Sequence, residues 1–161
     1  MDDLALRRQL AHALDWQAAH ASFDDAVADL PAALRARVPA GLPYSAWQLV
    51  EHIRRTQADI LEFCVAAHYE EKAWPKEYWP ESAEPPSPEA WEESVAAVRR
   101  DRAALATMTT DPKTDLGARV PNGDNQTYLR EVLLVIDHTA YHVGELILLR
   151  RLLDAWPVRA G

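Results

Sequence analysis

The sequence predicts an all-α protein, a four-helix bundle formed by residues 1–161 as one domain. Three observations carry the prediction. Apolar residues recur at spacings of three and four in four separate stretches. No run shows the alternation of a half-buried strand. Glycine is scarce, five in 161 residues, among long Ala/Leu/Arg/Glu-rich segments that favour helix. A chain of this length can bury a proper core.

The first stretch, residues 3 to 30, carries Leu4, Leu10, Ala13, Leu14, Ala18, Phe23, Val27 and Leu30, the spacing of one amphipathic helix. Pro31, Pro39, Gly41 and Pro43 then break the chain. Ser45-Ala-Trp-Gln48 matches a capping box, so a second helix is expected from there to about Tyr69. Residues 70 to 88 hold Pro75, Pro80, Pro85, Pro86 and Pro88, a long connection of the kind that is functional or wraps the surface. Within it, Trp74, Tyr78 and Trp79 are expected to pack the loop onto the bundle. Ser87 as N-cap and Pro88 at the first position open a third helix that runs to about Met108. Asp111-Pro112, Gly117, Pro121 and Asn122-Gly123 make the next connection irregular. The last helix is expected from about Asn125 to Trp156, stopped by Pro157. Trp16, Trp91 and Trp156 belong to the core or to helix ends.

Composition narrows the function. A formal net charge of −8 argues against a partner held through phosphates, so no nucleic acid is expected. The single cysteine, Cys64, permits neither an intrachain disulfide nor a multi-cysteine zinc site and reads as a buried structural thiol. The N-terminus lacks the apolar stretch of a secretory signal. No uninterrupted apolar run approaches the ~20 residues of a membrane span. A soluble, cytoplasmic protein with no membrane partner is the expectation.

The chemistry lies in the histidines. His138 and His142, four residues apart in Asp137-His-Thr-Ala-Tyr-His-Val-Gly-Glu145, stack on one helix face and can chelate a single ion. His52 lies on the second helix, with Gln48 one turn before it and Thr56 one turn after, either of which can contact a ligand near the ion. Three neutral imidazoles suit zinc, nickel or iron(II) and leave room for water or substrate. Glu145, three residues past His142, is the candidate catalytic group, as a general base or as an orienter of the imidazole. Its bland alternative is a glutamate facing solvent. His20 is a possible fourth ligand. Position 139 is threonine where a zinc protease of the His-Glu-x-x-His type carries its base, which argues against that activity.

Ser45-Ala-Trp-Gln-Leu-Val-Glu-His-Ile-Arg54, the Gly-x-x-Gln-Thr of Gly123 to Thr127, and Asp137-His-Thr-Ala-Tyr-His-Val-Gly-Glu-Leu146 with Leu149-Arg-Arg151 resemble the DinB-like (DinB/YfiT-like) superfamily. That group is distinct from the DNA polymerase of the same name. The resemblance covers nearly the whole chain. It implies a four-helix bundle in up-down-down-up order, often dimeric, and a metal site of His52, His138 and His142. Relatives in the superfamily include S-transferases using bacillithiol or related thiols, and a mycothiol-dependent maleylpyruvate isomerase. The expectation is a metal-dependent enzyme acting on a small-molecule thiol and an electrophile, or a hydrolase, working as a homodimer. Its alternatives are a non-catalytic metal-binding stress-response bundle and a dimeric interaction module.

Overall fold

The computed structural model describes residues 3–15 and 19–157. Among the described residues six helices follow in order: α1 (Asp3–Leu14), α2 (Phe23–Val27), α3 (Ala32–Arg35), α4 (Ala46–Val65), α5 (Ala90–Thr110) and α6 (Tyr128–Leu152). Among the described residues there is no strand, only an isolated bridge between Arg119 and Thr127. The four long helices form the bundle, with α1 and α4 each packed against both α5 and α6.

Cross-helix contacts fix the direction of each. Arg7 of α1 donates to the carbonyls of Thr109 and Asp111 at the far end of α5, while Asp15 pairs with Arg102 further back, so α1 and α5 run antiparallel. Ser94 donates to Glu51, and Gln57 to the Val98 carbonyl, so α4 and α5 run parallel. His52 meets His138, whereas the Phe63 carbonyl is reached from Asn122, ahead of α6; α4 and α6 are therefore antiparallel. The order is up-down-down-up.

The first amphipathic stretch is two helices rather than one. Ser22 accepts from the Asp25 N–H at 3.0 Å and donates its own N–H to the Asp25 carboxylate at 2.9 Å, a capping box that starts α2. The apolar spacing ran on across the break because both pieces face the core, Leu10 and Leu14 from α1, Phe23 and Val27 from α2. Trp16 and Ala18 lie outside the described residues. Buried Arg150 of α6 locks α2 in place, donating to the Ala26 and Ala28 carbonyls at 2.7 and 2.8 Å.

The predicted capping box of α4 is present, with Gln48 N–H to Ser45 Oγ at 3.2 Å and Ser45 N–H to Gln48 Oε1 at 3.1 Å. The helix stops at Val65, short of Tyr69, where the Asn122 amide takes the Phe63 and Ala66 carbonyls at 3.1 and 2.9 Å. α5 begins at Ala90 with Glu89 as its N-cap and no side-chain cap, two residues later than expected; Ser87 lies in the turn ahead of it, its Oγ accepting from the Ala90 N–H at 3.2 Å.

The start of α6 at Tyr128, later than expected, also has a cause. Residues 118–120 hold the chain ahead of it extended through Val120 N–H to Gln126 O and Tyr128 N–H to Ala118 O. The turn between needs glycine at 123, where a Cβ would lie 2.8 Å from Val120 Cγ2 and 2.9 Å from Gln126 Oε1. The far end of α6 falls at Leu152 rather than Trp156. Asp154 takes a left-handed φ of 53°, and the N–H groups of Asp154 and Ala155 return to the Arg151 and Arg150 carbonyls, a Schellman stop. Pro157 is not the terminator.

Two apolar clusters fill the bundle. One gathers Phe23, Trp47, Ile53, Trp91, Val98, Leu146 and Leu149; the other gathers Leu10, Leu14, Ile60, Cys64, Leu105, Val132 and Val135. Cys64 is fully buried, and burial pushes its thiol up to about 12, consistent with a structural role. Although no apolar run is uninterrupted, α6 is long and apolar enough by length and composition to cross a membrane. In the bundle it is a core helix, burying Glu131, His142 and Arg150 along with its apolar residues. Along α6 the two clusters change over between Val135 and Val143, the interval that holds His138 and His142.

Candidate metal centre

The antiparallel pairing of α4 and α6 brings His52 to His138 and His142. One ring nitrogen from each of the three falls within 4.8 Å of the others, and His52 and His142 are buried while His138 is half-buried. Nε2 of His138 stands 3.0 Å from Nε2 of His52. Nitrogens about 2.0–2.1 Å from a tetrahedral zinc ion lie roughly 3.3 Å apart, so small side-chain adjustments suffice to share one ion.

Two of the rings are oriented from behind. His52 Nδ1 lies 3.1 Å from the Tyr78 carbonyl oxygen. A carbonyl can only accept, so this nitrogen carries the proton and Nε2 keeps its lone pair toward the cluster. His142 Nδ1 likewise donates to Glu145 Oε2 at 2.6 Å. A histidine whose remote N–H is held by a carboxylate or carbonyl is the usual arrangement of a metal ligand. The Glu145 carboxylate also raises the hydroxyls of Tyr44 and Tyr141 beside it. Bonded to His142 and with its side chain only 20% exposed, Glu145 is not a glutamate facing solvent.

Electrostatics keep the donors neutral. Burial lowers His52 to about 4, against the raising effect of the Tyr78 carbonyl, and lowers His138 to about 3, helped by the neighbouring imidazoles. His142 is lowered as well, by burial that outweighs its bond to Glu145. Near neutral pH all three rings are uncharged and their lone pairs are available, as metal ligation requires.

The proline-rich connection supplies the cover. Trp79 stacks on His52 with centroids 3.8 Å apart and planes 10° apart, and Tyr44 stacks against Trp79 at 5.8 Å. Trp79 and Tyr78 pack down as expected. Trp74 does not: its ring meets the edge of His52 at 6.3 Å but stays 69% exposed. Trp91 is in the core, and Trp156 packs beside the end of α6 under the Arg150 guanidinium.

The remaining candidates separate cleanly. Gln48 is committed elsewhere, capping Ser45 with its oxygen and donating to the Pro80 carbonyl at 3.1 Å, so it is not a ligand contact. Thr56 Oγ1 is buried with no hydrogen-bond partner among the described residues, as is Thr139 Oγ1 beside His138. His20 is exposed, bonds the Ala21 carbonyl at 2.8 Å, and lies outside the histidine cluster, so it does not complete the set as a fourth ligand. His12 and His68 are exposed as well. Sequence reasoning missed Tyr78, Tyr44 and Trp79 as supports. A main-chain carbonyl has no residue signature, and the two aromatics sit in loops whose fold-back onto the histidines no spacing marks.

An antiparallel α4/α6 pair presenting buried, neutral, converging imidazoles defines a helical bundle with a possible divalent-metal site. The family model of the DinB superfamily matches residues 15–146, and the chain belongs to that superfamily. Neither the curated proteins nor the solved structures provide a match. The donor set fits an ion: three nitrogens of borderline softness, no charge to neutralise, and second partners on two of the three rings.

Proposed function

We propose that this chain is a metal-dependent enzyme in which His52, His138 and His142 hold a divalent ion, zinc, nickel or iron, and which joins a small-molecule thiol to an electrophile or hydrolyses one. A bound ion would act as a Lewis acid and lower the pKa of a thiol or water reaching it. The observation that carries the reading is the convergence of three neutral imidazoles, two of them oriented through their remote nitrogens. Glu145 is best read as a positioning residue, since its carboxylate is engaged by His142 Nδ1 at 2.6 Å. Trp79 covers one face of His52 and also lines a cleft of about 830 Å³ that none of the three histidines lines.

Metal-loaded wild type and His138→Ala, both screened for transfer of small thiols to electrophiles and for ester and amide hydrolysis, test the proposal. Activity in the wild type alone, with the helical spectrum unchanged, supports it; equal activity in both proteins overturns it. A non-catalytic ion held for stability or sensing is the second reading, and the stacking of Trp79 over His52 favours it. It predicts that metal raises the melting temperature while every substrate is left untouched.

A homodimer belongs to the same proposal. Leu133, Tyr141, Leu148 and Leu152, all about half exposed or more, lie along α6 at spacings of eight, seven and four, which supports a second copy packing there. Light scattering of the Leu148→Glu variant against wild type decides it: a monomeric variant of a dimeric parent is the expected result.

A further inference from the structure

Tyr78 is held at both ends. Its carbonyl accepts from His52 Nδ1 at 3.1 Å, and its hydroxyl donates to Asp59 Oδ2 at 2.6 Å. His52 and Asp59 are seven residues apart on α4, two turns along the same face, about 10 Å. The tyrosine therefore bridges two fixed points on one helix. Asp59 is buried and is shared with Tyr69, whose hydroxyl reaches Oδ1 at 3.1 Å, and with Lys72, whose Nζ reaches Oδ1 at 2.9 Å. The turn that carries Tyr78 is closed by its N–H and that of Trp79, both returning to the Pro75 carbonyl at 3.1 Å.

We infer that Asp59 and Tyr78 are positioning residues for the metal centre: the Asp59–Tyr78 hydrogen bond holds the Tyr78 carbonyl against His52 and so fixes which nitrogen of His52 carries the proton. The inference rests on the metal-binding reading for its consequence, but its geometry stands without it. An imidazole with its Nδ1–H held presents Nε2 as a ready donor. Freed of that partner, the ring divides between two tautomers and turns about its side-chain bonds, and every ligation event must first select the right form. The same turn carries Trp79, so loosening Tyr78 also loosens the ring that stacks on His52. Lys72 does not substitute for this contact, because it is shared between Asp59 and Glu62 and touches neither His52 nor the Tyr78 carbonyl.

The shared carboxylate provides its own control. Tyr78→Phe and Tyr69→Phe each remove one hydroxyl from Asp59, but only Tyr78 carries the carbonyl that faces His52. Two readouts suffice: long-range ¹⁵N–¹H spectra of the histidine rings, which report the His52 tautomer without any metal, and titration with cobalt(II) alone. Wild type and Tyr69→Phe are expected to show a single Nδ1–H tautomer at His52 and equal cobalt affinity. Tyr78→Phe is expected to show mixed tautomers and an affinity lower on the order of 10-fold. Asp59→Asn gives the same pattern where it folds. An unchanged tautomer and affinity in Tyr78→Phe overturn the inference, as does an equal loss in Tyr69→Phe, which would reduce the effect to loop stability. A wild type that takes up no cobalt overturns the proposed function instead, and the tautomer spectra still decide the role of Tyr78.

Discussion

His142 donates Nδ1–H to the carboxylate of Glu145 at 2.6 Å, three residues further along the same helix. One turn of α6 thus contains both a candidate ligand and the group that orients it. Spacing of three residues places the two side chains together without help from the rest of the fold. Glu145→Gln keeps the shape and an acceptor oxygen but removes the charge. Metal affinity, measured by competition with a chromophoric chelator, should fall about 10-fold and by more in Glu145→Ala. Wild-type affinity in Glu145→Ala would show that the carboxylate does not serve the site.

Trp79 lies flat against His52, so its removal uncovers one face of the cluster. Trp79→Ala should retain the helical fold and the metal stoichiometry of the wild type while giving up its ion to a chelator faster. Unchanged release kinetics would mean that the indole does not control access.

Ser45 caps α4 through Gln48 and also donates to the Ala83 carbonyl at 2.7 Å, joining the helix start to the proline-rich connection. Ser45→Ala should cost about 1–2 kcal/mol, read from urea unfolding. A cost near zero would argue that the cap is replaced by water.

Asp24 joins α2 to α5 through Arg99 at 2.6 Å and Arg102 at 2.9 Å. Burial alone would raise its carboxyl, but the two guanidiniums hold it below its usual 3.8. A carboxylate lowered on folding contributes stability above its unfolded pKa and loses it as pH falls through the folded one. The stability gap between wild type and Asp24→Asn should therefore be present at pH 7 and close on acidification below about 3.8, as measured by thermal unfolding across pH. The carboxylate is partly exposed, so the gap at pH 7 should be within about 1 kcal/mol and shrink in salt. A gap that widens in acid would contradict the assignment.

How far the chain announced this structure depends on the range of the interaction. Ser45 with Gln48 is local and was readable, whereas Thr127, which caps α6, was passed over for a start near Asn125. Ser22 with Asp25 is equally local, yet the apolar spacing from Leu10 to Val27 passes over it, since two short helices facing one core mimic one long helix. The end of α6 rests on a left-handed Asp154 that no residue type marks, whereas Pro157 offered a false but plausible stop. At the site, His138 and His142 follow from helical periodicity. His52 joins them only through antiparallel packing of α4 on α6, which the family resemblance supplied and periodicity could not. The Tyr78 carbonyl and the Asp59 anchor depend on how a loop folds back, and nothing in their spacing pointed to them.

Whether His52, His138 and His142 bind one divalent ion is decided by elemental analysis of untagged protein, wild type beside His142→Ala in the same preparation. Close to one equivalent of zinc, nickel or iron is expected in the wild type, and its loss in the variant. Metal absent from both, even after incubation with each ion and removal of the excess, would contradict the proposal.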